Sequence, residues 1–102
     1  MYGTVARLKV KPGATQDLID LSERWGRERG SATGQVAQYV FKLDQHPDEF
    51  MLVAAFTDRD AYRKNAEDPE TDRRYREMRD LLRSDPEWFD GEVIETKVAE
   101  GV

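Results

Sequence analysis

The sequence predicts an α+β domain whose elements run β-α-β-β-α-β, with the second helix in two pieces. Three features carry the prediction. Apolar and polar residues alternate with period two near the amino terminus and again after residue 34. Two stretches, Thr15 to about Gly30 and Pro69 to Leu82, repeat apolar residues at helical spacing. One run, Phe50 to Phe56, is apolar throughout, as a strand covered on both faces must be. This order is the ferredoxin-like split unit, a four-stranded antiparallel sheet with its helices on one face.

In the first strand, Tyr2 to Lys11, the residues Thr4, Ala6, Leu8 and Val10 share one face, and Val5, Arg7 and Lys9 share the other. Pro12 and Gly13 end it, because proline offers no ladder donor and glycine permits a turn. Thr15 is expected to cap the first helix. Leu18, Leu21, Ser22 and Trp25 then fall at i, i+3, i+4 and i+7, with Ile19 widening the stripe. The helix is expected to close near Gly30, and Ser31 to Gly34 to form a loop.

Gln35 to Asp44 alternates again. Val36, Gln38, Val40 and Lys42 fall on one face, and Ala37, Tyr39, Phe41 and Leu43 on the other, which is nearly all apolar. Gln45 to Asp48 connects this strand to the apolar run as a hairpin. Asp58 starts a short helix through Ala61, Tyr62 and Ala66. Asp68 caps the next, with Pro69 at the first helical position, where a missing N–H costs nothing. Tyr75, Met78 and Leu82 carry its apolar stripe, and Ser84, Asp85 and Pro86 stop it. Trp88 to Val98 reads as the last strand, with a bulge at Gly91.

The chain has 102 residues, 38% of them apolar and 36% charged, which is enough for one domain and one core. With a net charge of −5 it lacks the basic balance that phosphate backbones require, so no nucleic-acid partner is expected. The basic cluster Arg73, Arg74, Arg76, Arg79 and Arg83 is interleaved with Asp72, Glu77 and Asp80 and reads as a solvated helix face. There is no cysteine, which removes disulfides, thiolate metal sites and cysteine nucleophiles. His46 is the single histidine and sits in the hairpin loop, so neither a zinc site nor a histidine base is expected. No apolar run approaches the roughly 20 residues of a membrane span, and the first ten residues do not read as a signal peptide. A cytoplasmic protein without a membrane partner is the expectation.

Both faces of the Phe50–Phe56 strand are apolar: Phe50, Leu52, Ala54 and Phe56 on one, Met51, Val53 and Ala55 on the other. Helices can cover only one of them. A large exposed apolar patch marks a partner surface, and a second copy packed sheet to sheet would hide it. A homodimer is therefore expected, with Trp88, Phe89 and Phe50 as candidate interface residues.

The stretch Ala6-Arg7-Leu8-Lys9-Val10-Lys11-Pro12-Gly13 resembles the opening of antibiotic-biosynthesis-monooxygenase-like domains. So does the passage from Phe50 into Phe56-Thr57-Asp58-Arg59-Asp60-Ala61. The resemblance implies a dimeric α+β barrel with a pocket between sheet and helices in each subunit. It also implies a range of activities: cofactor-free quinone-forming oxygenases, haem-degrading oxygenases, and isomerising or signal-processing proteins. Where the family often carries a glutamate and a tryptophan two apart on the third strand, this chain has Ala54 and Phe56. Where it often carries a histidine about nine residues further on, this chain has Asn65.

The residues themselves supply further candidates. Arg7 in a central strand could anchor an enolate or carboxylate, or carry its head to the surface. Asn65 follows Tyr62 by three residues and could face the same way, toward a quinone or phenol oxygen or toward solvent. Tyr39 could transfer a proton or pack at a core or interface. Asn65, Arg7 and Tyr39 are thus the catalytic candidates, and Phe56, Ala54, Tyr62 and Leu52 the pocket candidates. Two functions follow. One is a monooxygenase-like enzyme that acts on a small aromatic or polyketide-type substrate with no metal and no cofactor. The other is a non-catalytic ligand-binding or structural dimer, which the missing glutamate and histidine favour.

Overall fold

The structure is a computed structural model that describes residues 1–29 and 34–99. Its elements are β1 (Tyr2–Lys9), α1 (Thr15–Arg29), β2 (Gln35–Lys42), β3 (Glu49–Phe56), α2 (Arg59–Glu67), α3 (Pro69–Arg79) and β4 (Glu87–Glu92). The four strands form one antiparallel sheet in the order β2-β3-β1-β4. This is the α+β ferredoxin-like arrangement, and the continuous apolar run, β3, lies inside the sheet as expected.

The period-two pattern sorts each strand. Ala6, Leu8 and Val10 of β1 and its extension join Phe50 of β3, Leu18 and Leu21 of α1, Met78 of α3, and Leu82 in one buried cluster. Cross-strand partners share a face. Thr4 pairs with Ala54, Ala6 with Leu52 and Leu8 with Phe50, and all six point to the helices. Gly3 pairs with Ala55 on the other side, where a Cβ would overlap the Ala54 carbonyl oxygen. Only glycine allows the two central strands to approach as they do there.

The helix ends follow their local chemistry. Asp58 accepts from the Ala61 N–H at 2.7 Å and starts α2; Asp68 accepts from the Glu70 N–H at 2.8 Å and starts α3, with Pro69 just inside. For α1 the expectation was one residue off. The Leu18 N–H donates to the Ala14 carbonyl, so Ala14 rather than Thr15 holds the capping position. The expected helix end at Gly30 and most of the expected 31–34 loop fall on residues 30–33, outside the described residues.

Two other expectations are corrected. Helix α3 ends at Arg79, and Leu82 leaves it to bridge Val10. There Leu82 is fully buried, and the Arg83 N–H donates to the Lys9 carbonyl at 2.9 Å. A strand-like contact with β1 satisfies that backbone and buries the leucine together, which another helical turn would not do. Strand β4 stops at Glu92 rather than Val98: Glu92 pairs with Tyr2, the Val93 N–H still donates to the Met1 carbonyl at 2.9 Å, and the ladder goes no further. Gly91 pairs regularly with Gly3, and the sheet irregularity lies in β2, between Gln35 and Ala37.

The sheet face away from the helices is a set of ordered rows. Tyr39, Val53, Val5 and Phe89 stand side by side across all four strands. Tyr39 is 62% exposed, Phe41 54% and Phe89 59%, with no element of this chain above them among the described residues. Toward one end the surface turns polar. Arg7 donates to Glu49 at 3.1 Å; His46 Nδ1 is 3.5 Å and Arg83 4.0 Å from the same carboxylate.

Candidate functional site

On the helix side the sheet is not fully filled. A cavity of about 850 Å³ opens between the strands and the three helices, a size suited to a drug-sized ligand. Leu52, Ala54 and Phe56 of β3 form its floor, with Thr4 of β1 beside them. Trp25 of α1, Tyr62 and Asn65 of α2, Arg74, Tyr75 and Met78 of α3, and Trp88 and Asp90 of β4 form the walls. The small side chain of Ala54, where the resembling family often carries glutamate, leaves room above the floor.

The local sequence explains each wall. Tyr62 and Asn65 face the cavity together because they are three apart on α2. Trp88 and Asp90 face it because they alternate with Phe89 on β4, opposite Ala6 and Thr4. Arg74 faces it because it lies four residues before Met78, on the buried side of α3.

Three polar groups shape the chemistry. The Tyr62 hydroxyl donates to the Asp90 carboxylate at 2.8 Å. Burial, then the hydrogen bond and charge of Asp90, push the Tyr62 hydroxyl up to about 12; the nearby Thr4 hydroxyl opposes part of that rise without reaching hydrogen-bond geometry. Tyr62 is therefore a neutral donor at physiological pH, and the carboxylate it holds is a hydrogen-bond acceptor on the wall. The Asn65 side-chain oxygen receives a long bond, 3.4 Å, from the Thr71 hydroxyl. Arg74 is 8% exposed and donates from Nη2 to Glu28 at 3.1 Å. Its Nε and Nη1, like the indole Nε1 of Trp25, are buried with no hydrogen-bond partner among the described residues.

The raised Tyr62 value has a measurable consequence. Folding keeps this hydroxyl protonated above pH 10, where the unfolded chain ionises, so its contribution to stability is intact below pH 10 and is lost as pH rises toward 12. Ultraviolet titration of the four tyrosines should show a late-ionising group that is absent from Tyr62→Phe and shifted down in Asp90→Asn. A wild-type curve with every tyrosine near 10 would contradict the Tyr62–Asp90 contact.

Of the residues expected at a site, Asn65, Tyr62, Phe56, Ala54 and Leu52 are gathered around the cavity. Arg7 and Tyr39 are not. Both project from the opposite sheet face, Arg7 paired with Glu49 and Tyr39 exposed beside Val53. Phe50 and Trp88, expected on a dimer face, also lie elsewhere: Phe50 is buried at 1% exposure in the helix-side core, and Trp88 faces the cavity with its ring 6.4 Å from that of Tyr75. Phe89 alone of the three lies on the open face. The basic helix splits as well. Arg73, Arg76 and Arg79 pair on the surface with Glu70 and Glu77, Asp72, and Asp85, whereas Arg74 turns inward. Sequence reasoning missed Arg74, Asp90, Thr4 and Tyr75. For Arg74 the four-residue spacing to Met78 was the available signal.

Among the described residues, no helix is long and apolar enough to cross a membrane. No curated protein sequence matches the chain. Solved structures with the same fold include SnoaB of Streptomyces nogalater, a cofactor-independent oxygenase, 20% identical with a TM-score of 0.80 over 93% of this chain and 94% of that one. NE2512 of Nitrosomonas europaea, of unknown function, is 22% identical with a TM-score of 0.78 over 98% and 95%. Rv0793 of Mycobacterium tuberculosis is 14% identical with a TM-score of 0.79 over 95% and 98%. At these identities the likeness shows the fold. The sequence profile of the antibiotic biosynthesis monooxygenase family matches residues 1–72, more than half of the chain, so the protein belongs to that family.

Proposed function

We propose that the protein is a cofactor-independent monooxygenase-like enzyme that acts on a small aromatic or polyketide-type substrate in the helix-side cavity. The observation that carries this reading is the cavity itself. A scaffold that had given up its pocket would fill the space with Phe50, Leu52 and Phe56; here Phe50 is in the core and the other two line an open volume beside Asn65. Such a substrate supplies its own electrons. Once its phenol or ring methylene is deprotonated, the carbanion reacts with dioxygen; one oxygen atom stays as a ring carbonyl and the other leaves as water. The residues bind, orient and exclude solvent. Asp90, held by Tyr62, is the proton acceptor on the wall, and Asn65 is placed to hydrogen-bond a substrate oxygen.

The working unit in this reading is a homodimer of one-domain chains, joined through the row Tyr39, Val53, Val5 and Phe89. Its support is that these side chains form one continuous apolar surface that nothing among the described residues covers. The cysteine-free composition fits a cytoplasmic location.

Oxygen uptake with a panel of anthrones and polycyclic phenols that lack the second ring oxygen tests the assignment. The expected result is consumption above the protein-free blank with a matching quinone absorbance, reduced roughly tenfold or more in Asn65→Ala and in Asp90→Asn. Turnover unchanged in Asn65→Ala would remove Asn65 from the mechanism. Saturable binding of the same compounds with no oxygen uptake would establish the second reading, a ligand-binding dimer, which the absence of the usual glutamate and histidine at Ala54 and Asn65 favours.

A further inference from the structure

The chain keeps the composition of a strand after its sheet has ended. Val93, Ile94, Thr96 and Val98 are β-branched, the type that suits a pleated surface. The last backbone bond into the sheet runs from the Val93 N–H to the Met1 carbonyl; among the described residues, none joins residues 94–99 to the rest of the chain. That segment is two-sided. The Lys97 ammonium lies 3.1 Å from the Glu95 carboxylate, two residues before it, as side chains on one side of an extended chain do; Ile94, Thr96 and Val98 fall on the other side. Ile94 is 94% exposed and Val98 73%. One charged side and one apolar side is the pattern of a half-buried strand, but here it has neither ladder nor cover.

We infer that residues 94–98 pair as a strand with the free edge of β2 in a second copy of this chain, each copy giving its tail and receiving the other's. This rests on the two-copy reading above and adds a second contact to it. Two edges of the sheet are open, β2 and β4, because the strand order is β2-β3-β1-β4. Charge decides between them. β4 reads Glu-Trp-Phe-Asp-Gly-Glu, exposed throughout, and would set three acids against Glu95 of an incoming tail. β2 holds no acid and one charge, Lys42 at its end, and Val36, Tyr39, Val40 and Phe41 stand exposed along it. A long apolar edge of that kind, irregular only between Gln35 and Ala37, is a template for another strand. The chain's own tail cannot fill it. β4 and β2 are three strand spacings apart, roughly 14 Å; crossing them uses about four residues of extended chain and leaves too few to pair. A second copy removes the problem. Sheets packed about a two-fold axis along their strands set β4 of one copy over β2 of the other, and strand directions are kept, so tail and β2 run antiparallel.

Hydrogen–deuterium exchange of the full-length protein, read by mass spectrometry, tests the tail. In the wild-type dimer the amides of residues 94–98 should exchange roughly tenfold or more slowly than those of an unstructured chain. In the single-chain form, reached by dilution or by Val53→Glu, they should exchange at the unstructured rate. Ile94→Asp combined with Val98→Asp should keep the native circular dichroism, since both side chains are exposed in one chain, and should weaken the dimer roughly tenfold or more. The absence of cysteine lets the seat be located. Thr96→Cys, combined in turn with Val36→Cys, Gln38→Cys and Val40→Cys, should give a cross-link between copies on mild oxidation in at least one pair. Thr96→Cys alone, or with Glu92→Cys on the β4 edge, should give none. A wild-type dimer whose tail exchanges at the unstructured rate would overturn the tail seat and leave the sheet-face dimer standing. Cross-linking to position 92 alone would overturn the choice of β2. Protection that persists in the single-chain form would place the tail's partner within its own chain and overturn the swap. A wild type at the chain mass throughout would overturn both the swap and the dimer.

Discussion

Phe50→Ala is expected to leave the protein largely unfolded in conditions where the wild type is native. Phe50 is 1% exposed and packs with Leu8, Val10 and Leu82, the other large side chains that are fully buried. Truncating a buried phenylalanine costs about 3–5 kcal/mol, part from lost transfer energy and part from the cavity left behind. A domain of this size holds only about 5–15 kcal/mol in total. In urea the midpoint should fall by about 2 M or more, read by far-ultraviolet circular dichroism. The loss should persist when the protein is diluted. An interface residue would behave otherwise, because its contribution grows with protomer concentration. A midpoint shift below about 0.5 M would place Phe50 outside the core.

Val53→Glu should have its largest effect on assembly. Val53 stands in the middle of the open face, between Tyr39 on β2 and Val5 on β1. In a two-fold sheet-to-sheet dimer each copy would carry a new carboxylate into the apolar contact, and a buried unpaired charge costs several kcal/mol. Light scattering at micromolar concentration should report the wild type at twice the 11.8 kDa chain mass and the variant at the chain mass itself. The variant should keep its circular dichroism, since Val53 points away from the helix-side core. A wild type that runs at the chain mass would remove the dimer; a variant that stays at double mass would move the interface elsewhere.

The order and kind of the elements were legible because local chemistry sets them. Alternation in β1 and β2, the apolar run of β3, and Asp58, Asp68 and Pro69 at the helix starts all act within a few residues. Part of the site was legible for the same reason. Tyr62 and Asn65 share a helix face by spacing, and Leu52, Ala54 and Phe56 share a strand face by alternation, so their meeting at one cavity follows once β3 is central.

What local pattern could not decide was which face of each strand meets the helices, and where a strand runs out of partner. Trp88 and Phe89 are adjacent aromatics of similar promise. Their opposite fates, cavity wall and open face, depend on the register of β4 against β1, set some 80 residues away in sequence. β4 stops at Glu92, opposite Tyr2 at the start of β1. The placement of Arg7 and Arg74 has the same kind of cause. Arg7 sits on a strand face that the helices do not cover, and Arg74 is drawn inward by Met78 on its own helix and by Glu28, 46 residues distant. The sequence alone therefore determined the elements, the β3 run with its two apolar faces, and the absence of thiol chemistry. Only the tertiary structure decided the cavity, and that Arg74 is buried while Arg7 is not, because burial is a property of long-range contacts and not of the residues that undergo it.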